Sequence, residues 1–269
     1  MKRSIVLSAQ LTQFHAATFS GDLDANLAKI AALGYDGVEL AIRDPKLVDV
    51  ESLEAAVRKH NLEVPAIGTG QAWGEEGLSF TDPNPGIRRA AIERIKSHIP
   101  VATRFNAMII IGLIRGIVKP GVTLDQALGW LSEALQECSM AASSYGIRLA
   151  LESINRYETT LINNVEQGMD LIERVGVDNF GLLLDTFHMN IEEPSIEESI
   201  RKCGKNTFHF HLADSNRWYP GAGHVDFHSI LTTLKDTGYQ GFISGEFMPK
   251  PDVETAAREN IAYLRLLGF

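Results

Sequence analysis

Cysteine is scarce in this chain. The only two, Cys138 and Cys203, stand in no spacing that makes a zinc or redox motif, so they read as reduced thiols of a cytoplasmic protein. Positive charge is short as well: 25 Lys and Arg against 34 Asp and Glu leave a formal net charge of -9. A nucleic-acid binder needs a basic face to replace phosphate counterions, which sets that partner class aside and favours a small neutral or locally neutralised substrate. Long apolar runs are missing too. No segment approaches the ~18 apolar residues of a membrane span, and the basic opening from Met1 to Leu7 is too short for a secretory core before Gln10 and Gln13 follow. The expectation is a soluble cytoplasmic protein with no membrane partner. Also absent is Gly-x-Gly-x-x-Gly behind the first apolar run, which counts against an open doubly wound nucleotide-binding sheet.

What is present is alternation. Short apolar runs exchange with longer helical patterns from end to end, the mark of βαβ units and a parallel sheet. Eight units are counted, with strands expected near 4–8, 37–41, 64–68, 107–112, 147–152, 180–185, 207–211 and 241–246. The expected fold is therefore α/β, a single (β/α)8 TIM barrel spanning residues 1–269. Helical periodicity is clearest at Leu124, Leu128, Leu131, Leu135 and Cys138, behind a Thr123/Gln126 capping box, in a helix expected to end at Gly146. Gly34, Gly146, Gly176 and Gly238 each precede a strand, where a left-handed residue would close the preceding helix. By contrast, the strand-to-helix stretches 69–85 and 212–225 are long and rich in turn residues. In a barrel those loops share the C-terminal face, where barrel enzymes build their sites.

Four of the predicted strands end in a metal-competent side chain: Glu152, Asp185, His211 and Glu246. Burying four such groups unpaired would cost several kcal/mol each, whereas a shared cation removes that cost. Neighbouring strands lie about 4.8 Å apart, so four adjacent strand ends can converge on one ion. Three carboxylates and an imidazole select a fairly hard divalent ion, Mn²⁺, Co²⁺ or Mg²⁺, with Zn²⁺ next. Such an ion would polarise a carbonyl and stabilise the enediolate left when a neighbouring carbon loses its proton. Glu152 and Glu246, from the first and last of the four strands, would approach from different sides as acid and base. One-face proton transfer gives an isomerase and two-face transfer an epimerase. Each residue also has a plainer role: a hydrogen-bonded core histidine for His211, a helix cap for Asp185.

The local words around these ends are specific. Leu151-Glu152-Ser153-Ile154-Asn155-Arg156-Tyr157-Glu158, Leu184-Asp185-Thr186-Phe187-His188-Met189-Asn190, His211-Leu212-Ala213-Asp214-Ser215-Asn216-Arg217 and Gly245-Glu246 closely resemble the ketose 3-epimerase branch (tagatose, psicose and ribulose 3-epimerases) of the xylose isomerase-like sugar isomerase/epimerase superfamily. The resemblance implies a divalent-metal-dependent epimerase inverting C3 of a ketose through an enediolate. It also implies that Glu152, Asp185, His211 and Glu246 hold the metal, with Glu152 and Glu246 as the catalytic pair. Glu158, His188 and Arg217 would bind the oxygens at the carbonyl end of the sugar. Read as residues alone, His188 is a donor just past a strand end or a helix-start surface histidine, and Arg217 a forked donor to substrate or an ion-pair partner of Glu158.

The segment Trp218–Phe227 keeps a Pro-Gly-x-Gly turn but is common to the wider superfamily, so the sugar stays open. For the distal end of the sugar the candidates are Gln10, Gln13, His15, Gln71, Trp73 and Arg115. Trp73 could cover a sugar face or pack on its own loop; Glu39 could face the cavity or serve a hydrogen bond within the barrel. The partner is a small-molecule sugar, and a homo-oligomer is compatible with the chain. The competing activities are an aldose–ketose isomerase of hydroxypyruvate or inosose type and a metal-dependent dehydratase. From other classes come an apurinic-site endonuclease, opposed by the acidic chain and single clear histidine ligand, and a non-catalytic sugar-binding module, which has no need of two glutamates beside a metal.

Overall fold

Each predicted apolar run becomes one strand of a parallel sheet that closes on itself. The computed structural model describes residues 1–10 and 16–269. Its strands are β1 (Lys2–Ser8), β2 (Glu39–Ala41), β3 (Ala66–Gly68), β4 (Met108–Ile111), β5 (Leu149–Glu152), β6 (Phe180–Asp185), β7 (Thr207–Leu212) and β8 (Phe242–Gly245). They pair in sequence order, and β8 returns to β1, so the architecture is a TIM barrel.

Alternation along each strand divides the buried apolar side chains among separate clusters. Ile5, Leu7, Leu40, Ile67, Ile109, Leu149, Leu151, Leu182, Leu184, Phe210 and Ile243 join the large cluster shared with the surrounding helices. Burying each such side chain contributes roughly 1.5–3 kcal/mol. Ala66, Met108, Ile110, Ala150 and Leu183 form a separate, smaller cluster with Phe208. Val6 and Ala41 pack with Ala17 in a third cluster, and other strand positions carry buried polar groups, among them Glu39, Glu152, Asp185, His209 and His211.

The turns follow the sequence reading. Gly34, Gly146, Gly176 and Gly238 all adopt positive φ, at 87°, 69°, 65° and 85°. Thr123 and Gln126 form the reciprocal capping box of helix Leu124–Ser143. That helix stops at Ser143, short of the expected Gly146, and Leu124 is 55% exposed because it sits in the first turn, away from the packed stripe. The stretch 69–85 also contains a short helix, Gln71–Glu76. No helix among the described residues is long and apolar enough to cross a membrane.

One irregularity positions the site. Between β6 and β7 the register runs Leu182↔Thr207 and then Leu183↔His209, so Phe208 is an extra residue, a β-bulge. Gly181 makes room for it: a Cβ there would lie 2.7 Å from the Phe208 ring and 2.8 Å from the Asn206 carbonyl oxygen. Beyond the bulge the register is regular again and sets Asp185 beside His211.

Candidate functional site

Glu152, Asp185, His211 and Glu246 each offer a ligand atom, and those atoms all lie within 4.8 Å of one another. His211 Nδ1 stands 3.9 Å from Glu152 Oε1, 3.8 Å from Asp185 Oδ2 and 3.7 Å from Glu246 Oε2. All four residues are buried. His211 Nδ1 and Glu152 Oε1 are enclosed yet have no hydrogen-bond partner. Buried polar atoms are nearly always satisfied, so two orphans facing one another among three carboxylates fit a divalent cation.

The electrostatics agree. Burial, then the neighbouring Glu246 charge, pushes the Glu152 carboxyl well above the usual carboxylate range. Burial likewise lifts Asp185 to about 6, against the pull of His211 and with Glu246 adding to it. For His211 burial disfavours the charged ring, but Glu39 and Glu246 outweigh it and hold the imidazole well above its ordinary value. Metal-free, the group retains protons that a cation would displace.

The plain and functional roles of these residues coexist, because each has two polar atoms. Asp185 Oδ1 accepts from Phe187 N at 2.7 Å and caps helix Thr186–Glu192, while Oδ2 faces His211. His211 directs Nε2 to Glu39 at 3.0 Å and Nδ1 to the carboxylates. Glu39 contacts the cleft as well as bonding His209 and His211.

Above the quartet is a cleft that includes Glu158, His188 and Arg217 in its lining. His188 Nε2 lies 3.5 Å from Glu152 Oε1, and Arg217 Nη2 lies 3.9 Å from Glu246 Oε2, so each glutamate has its own neighbour. Arg217 also pairs through Nη1 with Glu158 at 3.0 Å. Burial, then the Arg217 and Arg115 charges, holds His188 well below its ordinary value, so it is neutral.

Asn155 organises this side of the cleft and was not singled out from the sequence. Its Oδ1 accepts from Tyr157 N at 2.9 Å, which turns Nδ2 to His188 Nδ1 at 2.7 Å and to Glu158 Oε1 at 3.1 Å. Because Asn155 Nδ2 can only donate, His188 Nδ1 accepts and its proton resides on Nε2, the nitrogen near Glu152. The available signal was an asparagine three residues before Glu158 in a strand-exit loop.

Asp214 does the same for Arg217. Its carboxylate accepts from the backbone N–H groups of Ser215, Gly221 and Val225 at 2.7, 2.9 and 3.2 Å. A Cβ on Gly223 would lie 2.2 Å from Asp214 Oδ1, which accounts for the second glycine of the Pro-Gly-x-Gly turn. Arg217 itself has φ of 60°, and Met248 N donates to its carbonyl at 2.8 Å, tying the loop to the chain beyond β8.

Of the distal candidates among the described residues only Gln71 lines the cleft, together with apolar Val6, Ala41, Ile110 and Leu113. Gln10 is bonded to Arg43 N and to Asp44 N and O, and Trp73 packs outside the cleft lining. Gln13 and His15 lie outside the described residues. Arg115 is fully buried behind β5, donating to the carbonyls of Gly112, Ile162 and Glu152. Burial draws it down to about 10 against the Glu152 and Glu158 charges, so it stays cationic at neutral pH.

An L-ribulose 3-epimerase of Methylomonas sp. is 31% identical over 240 residues, covering 86% of this chain and 82% of the relative. A D-psicose 3-epimerase of Ruminiclostridium cellulolyticum is 31% identical over 232 residues, covering 84% and 78%. The crystal structure of D-allulose 3-epimerase from Methylomonas sp. in complex with D-allulose superimposes with a TM-score of 0.83 at 26% identity, covering 99% of this chain and 98% of that one. The Xylose isomerase-like TIM barrel family model matches residues 27–267, and the chain belongs to that family.

Proposed function

We propose that this chain is a divalent-metal-dependent sugar epimerase that inverts C3 of a ketose, Glu152 and Glu246 being its acid/base pair. One observation carries the reading: two buried glutamates from β5 and the end of β8 enter a single ligand cluster, each with a different polar neighbour. The relatives support it, since those at about 30% identity bear the names of 3-epimerases acting on ribulose and psicose. Glu152, Asp185, His211 and Glu246 would hold the ion, which when bound polarises the substrate carbonyl and offsets negative charge developing on its oxygens.

The chain's own groups do the rest. One glutamate takes the C3 proton, and the other returns a proton to the opposite face of the planar enediolate. His188, with its proton on Nε2, donates to a substrate oxygen, while the Arg217–Glu158 pair supplies a fixed donor and acceptor at the carbonyl end. The apolar wall of Val6, Ala41, Ile110 and Leu113 excludes water from the far side.

Turnover of a ketose panel in D₂O with Mn²⁺ or Co²⁺ supplied tests the reading. Two-face transfer places deuterium at C3 of the epimer. Exchange at C1 with an aldose product would establish the isomerase chemistry and overturn the two-face assignment.

A further inference from the structure

Glu39 is buried inside the barrel, 2% exposed, on a strand that is no neighbour of β7. Its carboxylate nevertheless reaches two histidines of β7. His209 Nε2 lies 2.8 Å from Oε2, and His211 Nε2 lies 3.0 Å from Oε2 and 3.1 Å from Oε1. The rings meet edge to face, with centroids 5.2 Å apart. An ionised carboxylate only accepts hydrogen bonds, so each of these contacts requires a proton on the histidine Nε2. For His211 that leaves Nδ1 as the nitrogen free to give up its proton to an ion, and Nδ1 is the atom aimed at Glu152, Asp185 and Glu246.

We propose that Glu39 and His209 are positioning residues that clamp the ion-holding histidine: Glu39 fixes the rotation and tautomer of the His211 ring, and His209 fixes Glu39. A ligating histidine that donates its other N–H to a carboxylate has a set orientation and a more basic ligand nitrogen. Here the carboxylate is itself shared with a second, fully buried histidine, so neither ring can turn over without stranding an N–H inside the barrel. The proposal rests on reading the quartet as a metal centre.

Two measurements test it. Long-range nitrogen–proton NMR of the imidazole rings reads which His211 nitrogen bears the proton; Nε2 should carry one both in the metal-free protein and after loading with Zn²⁺. Calorimetric titration with Mn²⁺ then compares variants shown to be folded by circular dichroism. Glu39→Gln removes the charge that both rings share and sets an NH₂ group in place of one of the two oxygens now within 3.1 Å of His211 Nε2, so the hold on the His211 ring weakens and affinity should fall about 10–100-fold. His209→Gln, which keeps a donor for Glu39, should bind closer to wild type than His209→Leu. A bare Nε2 on His211 in either form, or a folded Glu39→Gln chain with wild-type affinity, would overturn the clamp. Should Glu39→Gln fail to fold, the ring protons of the wild-type protein decide alone. A wild-type chain that takes up no divalent ion would instead remove the metal reading, and the metal-free ring, read at a pH high enough to make it neutral with one bare nitrogen, would still decide for or against the clamp.

Discussion

At the scale of single residues, the site works because its polar side chains are used at both ends. Asp185 caps a helix with one oxygen and presents the other to His211. A substitution therefore removes two things at once, and predictions must separate them. Glu152→Gln and Glu246→Gln should each lower turnover by at least ~10²–10⁴-fold, the range attributed to a positioned acid or base. Metal content measured on the same samples distinguishes a lost proton carrier from a lost ligand. His188→Ala and Arg217→Ala should raise KM and lower kcat while leaving ion stoichiometry unchanged, because neither belongs to the quartet. Unaltered kinetics in both variants would show the substrate to be placed wrongly, and loss of the ion from His188→Ala would move that histidine among the ligands.

At the scale of elements, the β7 bulge and the Asp214 loop are the two irregular features that aim functional side chains. The bulge depends on Gly181, where an added methyl would press on the Phe208 ring and on backbone. Gly181→Ala should destabilise the fold by about 1–3 kcal/mol, the usual cost of overpacking a tight contact. It should also weaken Mn²⁺ binding, since shifting β7 moves His211 relative to Asp185. Denaturant unfolding and metal titration check the two halves separately; a destabilised variant with unchanged affinity would mean the bulge serves the barrel and not the site.

At the scale of the whole molecule, three buried carboxylates in one cluster oppose the fold whenever they are all ionised. Asp185 is lifted to about 6 and Glu152 well above the ordinary carboxylate range, whereas in the unfolded chain both titrate near 4. Between pH ~4 and ~6 the metal-free folded chain therefore binds more protons than the unfolded one. Its stabilising contribution is complete below about pH 4 and is lost as pH rises through 6. A divalent ion binds the ionised form, so the rise in Tm on adding Mn²⁺ should grow from pH 5 to pH 7.5. At free ion about 100 times its dissociation constant the stabilisation would be about 2.7 kcal/mol. Differential scanning calorimetry across that range measures it, and a pH-independent shift would place the ion elsewhere.

Much of this was legible in the residues themselves. Strand alternation, the four polar side chains at the strand ends and the left-handed glycines are local properties of short segments, because period, capping and the need for positive φ are decided within a few residues. The words around Glu152, Asp185, His211 and Glu246 also carry the family. Only the tertiary structure decided which atom of each bifunctional residue faces the cluster. It was the closing of the barrel that brought Glu39 of β2 to His209 and His211 of β7, about 170 residues away in sequence. The same closure turned Arg115 from a distal sugar contact into a buried brace behind β5, and gave Asn155 and Asp214 their organising roles. Such pairings depend on where distant backbone groups come to rest, and no pattern of residues along a single element encodes that.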